Sequence, residues 1–193
     1  MNTRTGWSRQ DALERLENPE RYQTQDPEEF WNRVGLSPRQ TVADVGAGSG
    51  FFALPAAQRV GPEGTVYAID ISTELVELLE ERARQRGLRQ LKPIQSQAHK
   101  IPLPNEIADL VLLANILHDI PDDTLREAVR LLKKEGRLVN VDWKKQATPM
   151  GPPLEIRLDP DQAKDRLERQ GLQLEQRWDL GPYHYVLVLR KSS

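Results

Sequence analysis

Three glycines at alternate positions, Gly46, Gly48 and Gly50, follow closely on a carboxylate, Asp44, that ends an apolar run. Glycine has no Cβ, so such a loop lets main-chain atoms come close to a ligand. The helical stretch after it offers N–H groups with no intrahelical partner. A second carboxylate, Asp70, ends the next β-branched run and can accept hydrogen bonds from a pair of vicinal hydroxyls such as a ribose presents. A third group, Asn115 to Asp119, follows another apolar run, and Asp142-Trp143 follows a fourth. Within the third group, His118 has the chemistry of a general base or a substrate contact, and reads equally well as a structural histidine capping local backbone.

The glycine loop fits two ligand classes unequally. A dinucleotide fingerprint needs a further glycine where this chain has Phe51. Asp44 would also repel a pyrophosphate, whereas it suits a ligand that carries an ammonium or sulfonium charge. Asp70 serves NAD and S-adenosylmethionine alike and does not separate them.

The elements that must position these residues alternate between strand and helix, the pattern of an α/β sheet with crossover helices. Thr41 to Val45 reads as a buried strand and Phe51 to Val60 as the helix after the loop, stopped by Gly61, Pro62 and Gly64. Thr65 to Ile69 reads as a second strand. Ser72 caps a helix to about Arg86 with Leu75, Leu78, Leu79 and Ala83 on one face. Pro93 to Gln95 gives a short third strand, Asp109 to Ala114 a fourth, and Arg137 to Val141 a fifth after a helix over Asp122 to Lys134. A Pro/Gly-rich loop, Thr148 to Pro153, precedes a helix near Pro160 to Gln170. Two alternating strands, Leu172 to Leu180 and Tyr183 to Arg190, then flank Gly181-Pro182 as an antiparallel hairpin. In open α/β sheets ligands bind beyond the carboxyl ends of the strands, where all four chemical groups fall.

Four stretches in this order resemble the class I S-adenosylmethionine-dependent methyltransferases. Val42 to Gly50 resembles their first motif and Tyr67 to Ser72 their second. Asp109 to His118 resembles the fourth-strand motif of the small-molecule, ubiquinone/menaquinone-biosynthesis-like branch (methyltransferase type 11). Leu132 to Leu138 resembles the turn before the fifth strand, with Glu135 where proline or glycine is common. The matches cover residues 36–145. The resemblance implies a Rossmann-like seven-stranded, mostly parallel sheet with an antiparallel C-terminal strand and helices on both faces. It also implies an enzyme that uses S-adenosylmethionine and releases S-adenosylhomocysteine. Gly46, Gly48 and Gly50 would face the methionine part of the cofactor, and Asp44 would organise the loop and the amino group. Asp70 would hold the ribose, Ile71 would lie against adenine, and Asn115 would lie beside the methionine moiety. Gln97-Ala98-His99 stands where the family often has an acid contacting the adenine amino group, so Gln97 or the backbone near Ala98 would replace that contact.

The remaining candidates carry two readings each. Trp143 and Tyr183 either wall an acceptor pocket or pack. Tyr183, His184 and Tyr185 begin the last strand, each a candidate substrate contact or a packing residue, and alternation turns His184 away from both tyrosines. Asp119 and Asp142 read as site acids or as solvated loop acids, Lys144-Lys145 as solvated surface, and His99 as an exposed loop residue. His118, Asp119 and Asp142 match no metal-ligand spacing, so no metal is expected. The chain also lacks the Asn/Asp-Pro-Pro-aromatic motif of exocyclic-amine nucleic-acid methyltransferases. It has no cysteine, which excludes cysteine-dependent transfer and a disulfide framework.

With 193 residues, the chain suits one core, divided here into an N-terminal helical cap, residues 1–35, and a cofactor-binding domain, residues 36–193. Twenty-seven basic against 29 acidic residues leave a net charge of −2, without the basic footprint of a nucleic-acid binder. No signal-peptide core or spanning apolar run is visible, so a cytoplasmic location without membrane insertion is expected. The expected partner is a small-molecule methyl acceptor. An RNA or protein methyltransferase and a non-catalytic cofactor-binding regulator stay open as alternatives, and the oligomeric state is not encoded legibly.

Overall fold

The computed structural model describes residues 19–191; residues 1–18 of the expected N-terminal cap, with Trp7, Leu13 and Leu16, lie outside them. Two helices come first, α1 (Glu20–Thr24) and α2 (Pro27–Val34), followed by β1 (Thr41–Val45), α3 (Ala53–Val60), β2 (Thr65–Asp70), α4 (Thr73–Gln85) and β3 (Leu91–Gln95). The second half runs β4 (Ala108–Ala114), α5 (Asp122–Leu131), β5 (Leu132–Trp143), a 3₁₀ turn (Leu154–Ile156), α6 (Pro160–Glu168), β6 (Leu172–Leu180) and β7 (His184–Lys191). Their order in the single sheet is β3-β2-β1-β4-β5-β7-β6. The first five strands are parallel, and β7 runs antiparallel between β5 and β6. This is the Rossmann-like seven-stranded sheet with an antiparallel last strand.

Alternation along the strands gives each face of the sheet its own core. One face joins Phe30 and Trp31 of α2 to α3, α4 and the strand residues Val42, Ala68, Leu112, Val141 and Val186. The other joins α5 and α6 to Val45, Ile69, Leu113, Leu138, Tyr185 and Leu187. The helix starts follow ordinary capping chemistry. Asp26 accepts from the N–H groups of Glu28 and Glu29 ahead of Pro27, Ser72 accepts from Leu75, and Asp159 forms a capping box with Gln162.

Chain order reverses between β1 and β4: β2 and β3 extend one way from β1, and everything later extends the other way. The crevice outside the carboxyl ends at such a switch point is where open α/β sheets place ligands. The loops after β1, β2, β4 and β5 all open there.

Two differences from the sequence reading have physical causes. The helix after the glycine loop starts at Ala53, because Phe51 and Phe52 form a turn in which each ring packs edge-on to the other at 5.0 Å. The helix before β5 stops at Leu131, and β5 begins at Leu132 with a bulge, since Leu132 pairs with Ala108 but Arg137 pairs with Leu110. Lys133, inside that bulge, reaches Asp109 at 2.7 Å. Glu135 takes the left-handed conformation there (φ 61°), which glycine adopts without strain and proline, locked near φ −65°, cannot.

Candidate active site

The glycine loop leaves β1 and turns under β2. The N–H groups of Gly46 and Ala47 both donate to the Ile69 carbonyl, at 2.8 and 2.9 Å. Gly46, Gly48 and Gly50 all have positive φ, which lets the chain fold this tightly. A Cβ on Gly50 would meet Leu79 Cδ2 at 2.6 Å, so the end of the loop is seated directly on α4. Arg82 of the same helix donates from Nη1 to the Ser49 carbonyl at 2.7 Å. Arg82 continues the apolar stripe of Leu75, Leu78 and Leu79, which is the one sequence signal of its inward role.

Two buried carboxylates flank the loop, Asp44 at 2 % exposure and Asp70 at 3 %. Asp70 accepts from Gly48 N–H at 2.9 Å through Oδ2 and from Ser72 N–H at 3.0 Å through Oδ1. A carboxylate has about four acceptor sites, so two remain for a vicinal diol. Negative charge at Asp44 and Asp70, together with a glycine backbone that a ligand can approach closely, fits an adenosyl group bearing a sulfonium and an ammonium.

At the next two strand ends the chain builds a pair. Nδ1–H of His118 donates to Asp142 Oδ1 at 2.8 Å, and the His118 backbone N–H reaches Oδ2 at 3.3 Å. Trp143 N–H adds a 2.8 Å bond to Oδ1. The His118 and Asp142 side chains are 7 % and 2 % exposed. Asp142 is therefore a buried partner rather than a solvated loop acid, whereas Asp119 is exposed. A carboxylate only accepts, so the proton sits on Nδ1 and the neutral ring keeps its lone pair on Nε2. The loop that carries His118 is gripped by Arg166 of α6, which donates to the carbonyls of Leu117 and Ile120 and pairs with Asp122 at 2.8 Å. That guanidinium holds the Asp122 carboxyl below the usual carboxylate range, chiefly by hydrogen bonding.

The loop after β5 is wound around Arg157, which is 5 % exposed. Its Nε donates to Pro152 O (2.9 Å), Nη1 to Lys144 O and Gln146 O (3.2 and 2.9 Å), and Nη2 to Thr148 Oγ1 and Met150 O (2.8 and 3.3 Å). All five donors of the guanidinium are used. Burial lowers its pKa from the ordinary value, and the Asp142 charge opposes that. An ammonium has three donors and no planar fork, so Arg157→Lys is expected to cost about 2–3 kcal/mol. For a chain of this size that lowers the melting temperature by about 5–10 °C. Differential scanning calorimetry checks the shift, and hydrogen exchange should rise within residues 144–152.

Trp143 lies between His184, 4.1 Å away ring to ring, and Gly151, where a Cβ would come within 2.9 Å of the indole. The Arg157 guanidinium stands 5.3 Å from its centroid. Trp143 thus packs the base of this loop. Tyr183 is half-buried, and its carbonyl accepts from Lys144 N–H at 2.8 Å. Tyr185, fully buried across from Asp142, donates to Leu158 O at 3.2 Å, and burial pushes its phenol up.

The N-terminal helices meet the site from the other face. Trp31 anchors α2 by donating to Phe52 O at 3.0 Å. On α1, the Arg21 guanidinium stands 3.9 Å from the Phe51 centroid and the Tyr22 ring 4.8 Å from it. Phe51 is the residue directly after the glycine loop, so this helix touches the loop's exit. Gly181 (φ 59°) seats the end of α1 backbone to backbone: a Cβ there would lie 2.2 Å from the Thr24 carbonyl oxygen.

The structure brings Asp44, Gly46, Gly48, Gly50, Asp70, Asn115, His118 and Trp143 to one edge of the sheet. Asn115 takes φ 57° and donates its N–H to Val141 O at 2.7 Å, turning the chain from β4 toward His118. Ile71 follows Asp70, half-buried. Gln97 and Ala98 are exposed in a tight turn closed by reciprocal Gln97–Lys100 backbone bonds, and the Ala98 carbonyl accepts from Thr124 Oγ1. The sequence carries no signal for Arg157, Arg166 or Gln25, whose partners are main-chain atoms or residues far away in sequence.

Among the described residues, no cluster of histidine and carboxylate groups could hold a metal ion, and no helix is long and apolar enough to cross a membrane. A methyltransferase-domain family model matches residues 36–173. The chain is similar to a solved S-adenosylmethionine-dependent methyltransferase from Aquifex aeolicus, at 30 % identity and a TM-score of 0.89 over 96 % of this chain and 99 % of that one. It is 32 % identical to a demethylmenaquinone methyltransferase of Geobacillus kaustophilus over 58 % of this chain and 49 % of the relative. It is also 31 % identical to a ubiquinone/menaquinone biosynthesis C-methyltransferase of Ectopseudomonas mendocina, over 63 % and 50 % respectively. The chain thus spans about half the length of these curated relatives.

Proposed function

The chain belongs to the S-adenosylmethionine-dependent methyltransferases, and from that premise we propose that its acceptor is a small molecule and that His118 removes the acceptor's proton. The observation that carries the reading is the buried His118–Asp142 pair at the carboxyl end of β4 and β5, with Nδ1–H held at 2.8 Å and Nε2 left as a base. Support for the substrate class comes from the curated relatives, whose names refer to demethylmenaquinone and to ubiquinone/menaquinone biosynthesis. The near-neutral charge balance agrees with it.

Bound in the glycine loop, S-adenosylmethionine supplies an activated methyl group on a sulfonium. The protein's part is then orientation, an effect that contributes roughly 7–11 kcal/mol in well-aligned systems. Gly46, Gly48 and Gly50 cradle the methionine moiety, and Asp44 takes its ammonium side. Asp70 accepts from the ribose hydroxyls, Ile71 lies along the adenine, and Gln97 or the Ala98 backbone meets its edge. Asn115 flanks the methionine. His118 Nε2 would take the proton that the acceptor atom loses on gaining the methyl group, the methyl–sulfur bond breaking with its electron pair kept by the sulfur of S-adenosylhomocysteine, and Asp142 would steady the resulting imidazolium. At the described part of the N-terminal cap, α1 packs on Phe51 at the exit of the glycine loop and excludes water from this edge, and Trp143 and Tyr183 border the acceptor.

The test is release of S-adenosylhomocysteine on adding enols, phenols, amines or thiols singly. Turnover with members of this panel, and none with RNA or protein, is the expected result. Labelled methyl entering RNA or polypeptide alone would replace this reading with the macromolecular one. Saturable cofactor binding without turnover on any acceptor would replace it with a regulator.

A further inference from the structure

His184 begins β7 opposite Trp143 and is 1 % exposed. Its ring is tied on one side. Arg21 Nε donates to Gln25 Oε1 at 3.1 Å, and the same amide's nitrogen meets His184 Nε2. An arginine can only donate, so the amide atom facing it is the oxygen, and the nitrogen left for His184 is itself a donor. His184 Nε2 must then be the acceptor, which puts the neutral ring's proton on Nδ1. Burial, reinforced by the positive charges of Arg21, Arg157 and Lys144, lowers the pKa of His184 to about 3 and keeps the ring neutral.

Nδ1 is sealed from solvent and has no hydrogen-bond partner among the described residues. A buried donor left in this state is costly, and in a folded protein it calls for an explanation. Its position is informative. Asp142, which orients His118, and Trp143, which pairs with His184, are consecutive residues at the end of β5. Their side chains point to opposite faces, so the two histidines bracket the tip of one strand. The three cations around His184 favour electronegative atoms in its neighbourhood.

We propose that His184 Nδ1–H is a specificity-determining donor to an anionic or carbonyl oxygen of the methyl acceptor, held at the tip of β5 beside Trp143. The inference rests on the acceptor-site reading given above. His118 would receive the proton from the reacting atom, and His184 would pin a second, oxygen-bearing group of the same molecule. Molecules of the right size that carry only donors would be rejected, because Nδ1–H would remain unpaired.

The test uses the full chain with S-adenosylhomocysteine and ¹⁵N-labelled histidine, titrated with sodium benzoate and, separately, with benzylamine. Nuclear magnetic resonance should show His184 as the Nδ1–H tautomer and a saturable shift of that proton with benzoate, and no shift with benzylamine. His184→Gln, which can replace Nε2 but not Nδ1, should weaken benzoate about tenfold or more and leave S-adenosylhomocysteine affinity unchanged. His184→Asn, whose amide nitrogen replaces Nδ1, should retain most of the benzoate affinity. The Nε2–H tautomer, a motionless Nδ1–H throughout the benzoate titration (a buried water only), or equal benzoate affinity in wild type and His184→Gln would overturn the proposal. Should His184→Gln fold poorly, the wild-type titration decides alone. Turnover of small-molecule acceptors with an unmoved Nδ1–H would overturn this inference and leave the proposed function standing. Absence of all small-molecule turnover would remove the function itself.

Discussion

His118→Ala is expected to slow methyl transfer by about a hundred- to ten-thousand-fold for an acceptor that must lose a proton. Affinity for S-adenosylhomocysteine and the melting temperature should stay close to wild type, because among the described residues the ring's only hydrogen bond is the one to Asp142 at 2.8 Å. Asp142→Asn sharpens the test. An amide turned to donate toward Nδ1 would favour the opposite tautomer, with the proton on Nε2, where a base needs a lone pair. Its activity should fall by a comparable factor; in that orientation the amide oxygen faces the His118 backbone N–H and Trp143 N–H loses its acceptor. Added imidazole should restore part of the activity of His118→Ala and none of Asp142→Asn. If His118→Ala instead melts early and loses cofactor affinity in parallel, the histidine is structural. Full activity and full stability together would make it a bystander.

Asp70→Ala carries the second large effect. Losing charge-assisted bonds to the ribose should weaken S-adenosylhomocysteine by about ten- to a hundred-fold, equivalent to roughly 1.5–3 kcal/mol. The structure adds a second consequence. Asp70 holds Gly48 N–H at 2.9 Å and Ser72 N–H at 3.0 Å, so alanine leaves two buried donors unpaired and the glycine loop untethered from β2. Stability should therefore fall by about 1–3 kcal/mol along with affinity. Asp70→Asn keeps one acceptor oxygen and should lie between the two in both measurements. Calorimetric titration and thermal melting of the same three proteins check both parts, and an unchanged dissociation constant in a folded Asp70→Ala protein contradicts the assignment.

The sheet was legible in the sequence because its signals are local. β-branched or continuous apolar runs over Thr41–Val45, Thr65–Ile69 and Asp109–Ala114 gave the strands, and Ser72 gave the start of α4. The hairpin across Gly181-Pro182 was legible, whereas the placing of β7 between β5 and β6 was not, since strand order is not a local property. The glycine loop and Asp70 were readable for the same reason: their chemistry is written in consecutive residues. The acceptor side was less so. Asp142 read equally well as a loop acid because nothing in its neighbours announces a histidine 24 residues earlier. Arg157 could not be recognised as the centre of its loop, since all five of its partners but one are carbonyls, which every residue possesses. His184 needed Gln25, 159 residues away, before its tautomer could be assigned.

A crystal structure of the chain with S-adenosylhomocysteine tests the central claim most directly. The account predicts the ribose hydroxyls on Asp70, the methionine moiety along Gly46 to Gly50, and the sulfur facing His118 Nε2 across a gap that one acceptor molecule fills. A complex in which the ribose lies away from Asp70, or in which the sulfur faces away from the Asn115 to His118 turn, would contradict it.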